Sequence, residues 1–181
     1  MNPTVNAWTL RNVSCAIENR HIFSEASFAI PRGQVTTVIG PSGAGKSSLL
    51  QMLAGFREPS QGTVKRGFAE SEVVMHPQVW DSFDGPDRAT KIQEMQPGKS
   101  GCLLIDEPEK GIDSQSIVRI HEDFADKASR GSTIIVVTHD HGWVKSHENT
   151  ILLRNGTCKL IPVTAVNFLE IQQETIEQLR R

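Results

Sequence analysis

Eight residues constrain this chain more than any other segment: Gly40-Pro41-Ser42-Gly43-Ala44-Gly45-Lys46-Ser47 matches G-x-x-x-x-G-K-[ST]. The match counts because of what flanks it. The β-rich run Gln34 to Ile39 precedes it, and an apolar-periodic stretch through Leu49, Leu50 and Leu53, stopped by Gly55, follows it. Strand, loop and helix therefore come in the order a phosphate site needs. Glycines at 40, 43 and 45 let the backbone turn and bring its N–H groups against phosphate oxygens. Pro41, Ser42 and Ala44 complete the loop. The helix N-terminus adds roughly half a positive charge. Lys46 is placed to bridge β- and γ-phosphates, Ser47 to ligate Mg²⁺, and Ser48 to offer a second hydroxyl. The expected ligand is ATP with Mg²⁺.

A second group of polar residues is expected at the same sheet edge. Cys102-Leu103-Leu104-Ile105-Asp106-Glu107-Pro108 sets two carboxylates at the C-terminal end of an apolar strand, where parallel sheets bind ligands. A bare acidic pair after a strand is more often a loop start or helix cap, but its position downstream of a phosphate loop reverses that balance. Asp106 is the candidate magnesium residue and Glu107 the candidate general base. Thr138-His139-Asp140 follows the apolar run Thr133 to Val137, so His139 is a candidate γ-phosphate contact. Gln78, after Val73-Val74-Met75-His76-Pro77, is a candidate for the magnesium or water shell, against the alternative of an ordinary loop amide.

The remaining pattern predicts one α/β domain over 1–181. Trp8 to Val13 and Ile22 to Ile30 suggest an antiparallel start, with Gly62 to Val64 and Ser71 to Met75 as further short strands. A polar stretch from Gln78 to Ser100 holds a short helix near Asp87 to Met95. A longer helix begins near Asp113 with Ile117, Ile120, Phe124 and Ala128 on one face. Thr150 to Leu153 and Thr157 to Ile161 flank Asn155-Gly156 as a hairpin, and a C-terminal helix carries Val166, Leu169, Ile176 and Leu179. Trp8, Trp80 and Trp143 are read as packing or rim residues.

Bulk properties narrow the function classes. With 19 basic and 21 acidic residues, a net charge of -2 gives no electrostatic reason to expect nucleic acid as a partner. Cys15, Cys102 and Cys158 form neither a CxxC pair nor a metal-spaced cluster and are expected as buried, reduced thiols. The N-terminus lacks a basic and apolar leader pattern, and no apolar run approaches the ~18 residues that span a bilayer. The expectation is a cytoplasmic protein that meets a membrane only through a partner.

Together these segments resemble the ATP-binding cassette (ABC) family: Walker A at GPSGAGKSS, Q-loop at HPQ, Walker B at LLIDEP, D-loop at Glu109-Lys110-Gly111-Ile112-Asp113 and the switch histidine in THD. The run LRNVSCAI is similar to the family's opening strand. The resemblance implies a RecA-like parallel core with an N-terminal antiparallel β-subdomain (about 1–35 and 60–75), and ATP hydrolysis between two cassettes. Three departures stand out. Ile17 occupies the place of the adenine-stacking aromatic, 23 residues before Gly40. Only 27 residues separate Gln78 from Asp106, so most of the family's helical subdomain, here a shortened insert at about 79–100, is missing. Phe83-Asp84-Gly85-Pro86-Asp87-Arg88 falls where the signature LSGGQR would, with Asp84 in the serine's place. The implied function is an ABC-type ATPase served by a second cassette or other protein partner. The alternatives are an atypical ATP-binding subunit beside a membrane permease, and a non-hydrolytic ATP-dependent switch.

Overall fold

A computed structural model describes residues 6–18, 20–76, 86–97, 101–145, 149–162 and 164. The expectations for Gln78, Trp80, the segment 83–85 and the C-terminal helix lie outside these residues. Two sheets organise the rest. The smaller is antiparallel in the order β2-β1-β4, from β1 (Asn6–Ile17), β2 (Arg20–Pro31) and β4 (Gln61–Arg66). The larger has the order β5-β6-β7-β3-β8-β9, with β3 (Val35–Ile39), β5 (Val73–His76), β6 (Cys102–Asp106), β7 (Thr133–Val137), β8 (Asn149–Arg154) and β9 (Thr157–Pro162). Its pairings are parallel from β5 to β8, and β9 closes the edge antiparallel. The expected mixed α/β fold, a parallel core beside an antiparallel β-subdomain, is what forms.

The central strands are apolar on both faces because both faces are covered. Alternation along β6 sends Leu103 and Ile105 to one side and Cys102 and Leu104 to the other; along β7, Ile134 and Val136 oppose Ile135 and Val137. On one side these residues meet α1 (Lys46–Ala54) and the small sheet, through Leu49, Leu50, Leu53, Trp8 and Phe23. On the other they meet α2 (Pro86–Glu94) and α3 (Ser114–Ser129), through Ala89, Ile92, Ile120 and Phe124.

Local chemistry ends the elements. Helix α1 stops at Gly55, in the left-handed region, where Phe56 N donates to Gln51 O and Gly55 N to Met52 O, a Schellman closure. Helix α3 starts at Asp113, whose carboxylate accepts from Gln115 N and Ser116 N at 3.0 Å each; the Ser116 hydroxyl first, and then these backbone bonds, hold it below the usual aspartate range. The expected face of α3 is the buried one. The β8–β9 hairpin turns on Asn155 and Gly156, both at positive φ. All three cysteines are buried and free, and burial pushes the Cys158 thiol up to about 12.

Two expectations move. Ser71 and Glu72 form a short 3₁₀ turn (Glu70–Glu72) rather than strand, because the Glu72 carboxylate accepts from Ala69 N at 2.7 Å and folds the chain back; strand pairing with β6 begins only at Val73. The first strand runs beyond the expected Trp8 to Val13, since bulges at Leu10/Val13 and Val13/Cys15 carry the pairing through residues whose alternation is broken.

Helix α2 forms a cap on the α3 side of the sheet. Arg88, only 6% exposed, donates Nη2 to the Glu107 carbonyl at 3.0 Å. Lys127 on α3 donates to the Gln93 carbonyl near the end of α2 at 2.7 Å and to Asp123 at 2.6 Å. One helix, pinned at both ends, thus covers α3 and the underside of the acidic turn.

Candidate nucleotide site

The C-terminal ends of β3, β6 and β7 lie side by side, with β7 between the other two. The loops leaving them carry Lys46, the Asp106-Glu107 pair and His139. Residues 40–48 form the loop between β3 and α1 and its first helical turn. Gly45 sits in the left-handed region with φ 98, and a Cβ there would run into the Ile22 side chain of β2. The glycine is thus required by the approach of the small sheet as well as by the loop's turn. Lys46 Nζ donates to the carbonyls of Gly40 and Pro41 at 3.0 and 3.1 Å. Burial lowers its pKa, and Glu107, Asp106 and Glu109 pull it back up.

Asp106 is 3% exposed. Burial raises its pKa, opposed first by a hydrogen bond from Ser47 and assisted by the neighbouring Glu107 charge. Its Oδ1 is buried without a hydrogen-bond partner. A hydroxyl and a carboxylate with a spare buried oxygen are the hard oxygen donors that suit Mg²⁺, which takes few protein ligands and completes its shell from phosphate and water. Among the described residues no three His, Cys, Asp or Glu side chains are grouped to hold a metal by themselves. The residues therefore fit magnesium arriving with a nucleotide.

Glu107 follows with φ 48, a left-handed backbone that turns its side chain out of the strand path. Its N–H donates to the Val137 carbonyl at 2.9 Å, and its Oε1 lies 3.2 Å from His139 Nε2. Lys46, Asp106, Glu107 and His139 are thus brought together; Ser47 reaches Asp106, and Gln78 is outside the described residues. Three features were not foreseen. Glu109 bonds the loop that carries His139, Arg88 bonds the Glu107 carbonyl, and a polar cavity of about 190 Å³ beside the phosphate loop is lined by Arg20, His21, Gly43, Ala44 and Arg154. Ile17, at the place of the adenine-stacking aromatic, is the register partner of Arg20, one of the residues lining that cavity.

Fold and site define the P-loop NTPase fold. A family model described as ABC transporter matches residues 23–95. The cytochrome c biogenesis ATP-binding export protein CcmA of Tatumella citrea is 25% identical over 180 aligned positions, covering 71% of this chain and 86% of that protein. That span exceeds the share of this chain it draws on, so the relative has residues without a counterpart here. The zinc import ATP-binding protein ZnuC of Photobacterium profundum is 46% identical over 57 residues, 32% of this chain and 22% of that one. A dimeric post-hydrolysis ATP-binding cassette bound to ADP and Pi superposes with a TM-score of 0.66 at 17% identity, covering 86% of this chain and 98% of that one. In sequence and in fold the chain is thus similar to ATP-binding cassette proteins, a family that binds and hydrolyses ATP.

Proposed function

We propose that this chain binds Mg-ATP at residues 40–48 and hydrolyses it to ADP and phosphate. The observation that carries the reading is the grouping of Lys46, Asp106, Glu107 and His139 at one sheet edge, with Glu107 and His139 in contact at 3.2 Å. Backbone N–H groups of the loop cradle the phosphates and Lys46 bridges the β- and γ-groups. The cavity edged by Arg20 and Arg154 receives the nucleoside end, offering guanidinium planes in place of an aromatic platform.

Ser47 and Asp106 hold magnesium, with Gln78 as a further ligand or water contact; the ion's contribution is to neutralise charge developing on the phosphate oxygens. Glu107 takes a proton from a water whose oxygen attacks the γ-phosphorus, while the bond from that phosphorus to the bridging oxygen of ADP breaks. The Nε2–H of His139 rests on Glu107 Oε1 before the nucleotide arrives, which orients the base, and it turns to donate to a γ-phosphate oxygen once ATP is bound. Nucleotide binding and single-turnover hydrolysis by wild type, Lys46→Ala and Glu107→Gln test the assignment: both substitutions strongly reduce hydrolysis, and only Lys46→Ala removes binding.

Assembly with a second nucleotide-binding protein is part of the proposal. The segment 83–88 carries Asp84 in place of a serine, which would present negative charge to a γ-phosphate across an interface. A partner cassette supplying its own donor in trans fits this chain better than a symmetric pair. The relatives' names, one for export and one for zinc import, favour a second reading as the cytoplasmic ATP-binding subunit of a transporter. No helix among the described residues is long and apolar enough to cross a membrane, so on that reading a permease supplies the spans. Co-purification with a membrane protein distinguishes the two.

A further inference from the structure

The turn after β6 holds a third carboxylate, and its bonds lead away from the phosphate loop. Oε1 of Glu109 accepts two hydrogen bonds, from Thr138 Oγ1 and from the backbone N–H of His139, each at 2.8 Å. The bonded residues are 29 and 30 positions away in sequence, on the loop leaving β7. The same hydroxyl of Thr138 accepts from Asp140 N at 2.9 Å, and the Asp140 carboxylate accepts from Gly142 N at 2.7 Å. One carboxylate oxygen thus anchors a short chain of bonds running through the His139 loop into α4 (His141–Lys145).

The other end of this anchor is firmly held. Lys110 N donates to Glu107 O and Ile112 N to Glu109 O at 3.2 Å each, so residues 107–112 form a tight double turn, and α3 is capped immediately after it. We infer that Glu109 is a positioning residue: by clasping the His139 backbone from this rigid turn, it sets the distance between the His139 ring and Glu107. The inference rests on the hydrolytic reading above for its consequence, but the clasp itself is a matter of hydrogen bonding.

The two oxygens of Glu109 are not equivalent. Oε2 is buried and has no hydrogen-bond partner, whereas Oε1 accepts both bonds. Glu109→Gln therefore keeps the accepting oxygen and puts the amide nitrogen where no bond is made. Glu109→Ala removes the acceptor and leaves the Thr138 hydroxyl and the His139 N–H without it. Burial raises the Glu109 pKa, so losing the charge is not in itself a loss of stability.

The test combines the backbone amide shift and hydrogen exchange of His139, read by NMR, with ATP hydrolysis and Mg-ATP affinity. In Glu109→Ala the His139 amide is expected to shift and lose protection. Turnover should fall about 10- to 100-fold, as misplacement by an ångström can cost, with affinity within about 3-fold of wild type. Glu109→Gln is expected to restore the amide shift and turnover to within about 3-fold. Should Glu109→Ala unfold, Thr138→Val, which removes one of the two bonds, gives the same readouts. An unchanged His139 amide in Glu109→Ala overturns the clasp. Equal turnover losses in Glu109→Ala and Glu109→Gln overturn the positioning role. Phosphate release that is the same in wild type and Lys46→Ala sinks the hydrolytic reading alone, and the amide measurement still decides whether Glu109 holds His139.

Discussion

His139 Nε2 stands 3.2 Å from Oε1 of Glu107, although the two residues leave different strands and are 32 positions apart. Two backbone constraints make that contact. Glu107 adopts a left-handed conformation and donates its N–H to Val137 at the end of β7, while His139 is tied by its own N–H to Glu109. A left-handed glutamate costs about 1–2 kcal/mol, and the neighbouring bonds hold it there.

Glu107→Gln is expected to keep Mg-ATP affinity within a few-fold and to reduce hydrolysis about 10²- to 10⁴-fold, the usual worth of a positioned general base. Isothermal titration and single-turnover phosphate release measure the two separately. Loss of affinity comparable to the loss of rate would show that Glu107 supports binding rather than proton transfer.

Asp106→Asn is expected to stabilise the fold while removing magnesium-dependent activity. Burial raises the Asp106 pKa, so the folded state holds its proton up to a higher pH than the unfolded chain does, and above that pH the charged form is a net cost. The asparagine variant should therefore be more stable at pH 7, by about 0.5–2 kcal/mol. The gain should shrink as pH falls through the folded-state pKa toward the ordinary carboxylate range. Urea melts at several pH values check both the sign and the trend.

Trp143 anchors the end of the His139 loop. It is fully buried, its ring centroid lies 3.8 Å from that of His121 and 5.3 Å from that of Phe124, and α4 carries it into the core against α3. Trp143→Ala should cost about 3–5 kcal/mol, the range for a large core aromatic, seen as a lower denaturation midpoint. Trp143→Phe should cost less and retain nucleotide binding.

Glycines 43 and 45 should respond differently to alanine. A Cβ at Gly43 meets nothing within 4 Å, so Gly43→Ala bears only the left-handed penalty of about 1–2 kcal/mol. At Gly45 the same penalty is joined by collision with Ile22. Gly45→Ala should be the less stable of the two in thermal melts, and Ile22→Ala should recover part of the difference.

Much of this arrangement is legible in the sequence because its chemistry is local. The phosphate loop, the LLIDEP strand end and the THD turn each carry their residues within a few positions, and parallel topology alone sends them to one edge. The face of α3 and the Asn155-Gly156 turn are legible for the same reason. What is not legible depends on contacts across the fold. Glu109 in a polar turn looks like a solvated acid until Thr138 and His139 are brought to it from β7. Arg88 lies in a charged helix and gives no hint of the carbonyl it meets. Ser71 and Glu72 look extended because the bond from Ala69 N to the Glu72 carboxylate is a side-chain event that strand propensity does not register.

The most direct measurement of the central claim is Mg-ATP binding together with steady-state phosphate release by the purified chain, with Lys46→Ala as the blank. The expected result is saturable binding and phosphate release that both disappear in Lys46→Ala. Absence of binding by the wild-type chain, or binding indifferent to Lys46, would contradict the assignment of residues 40–48 as the nucleotide site.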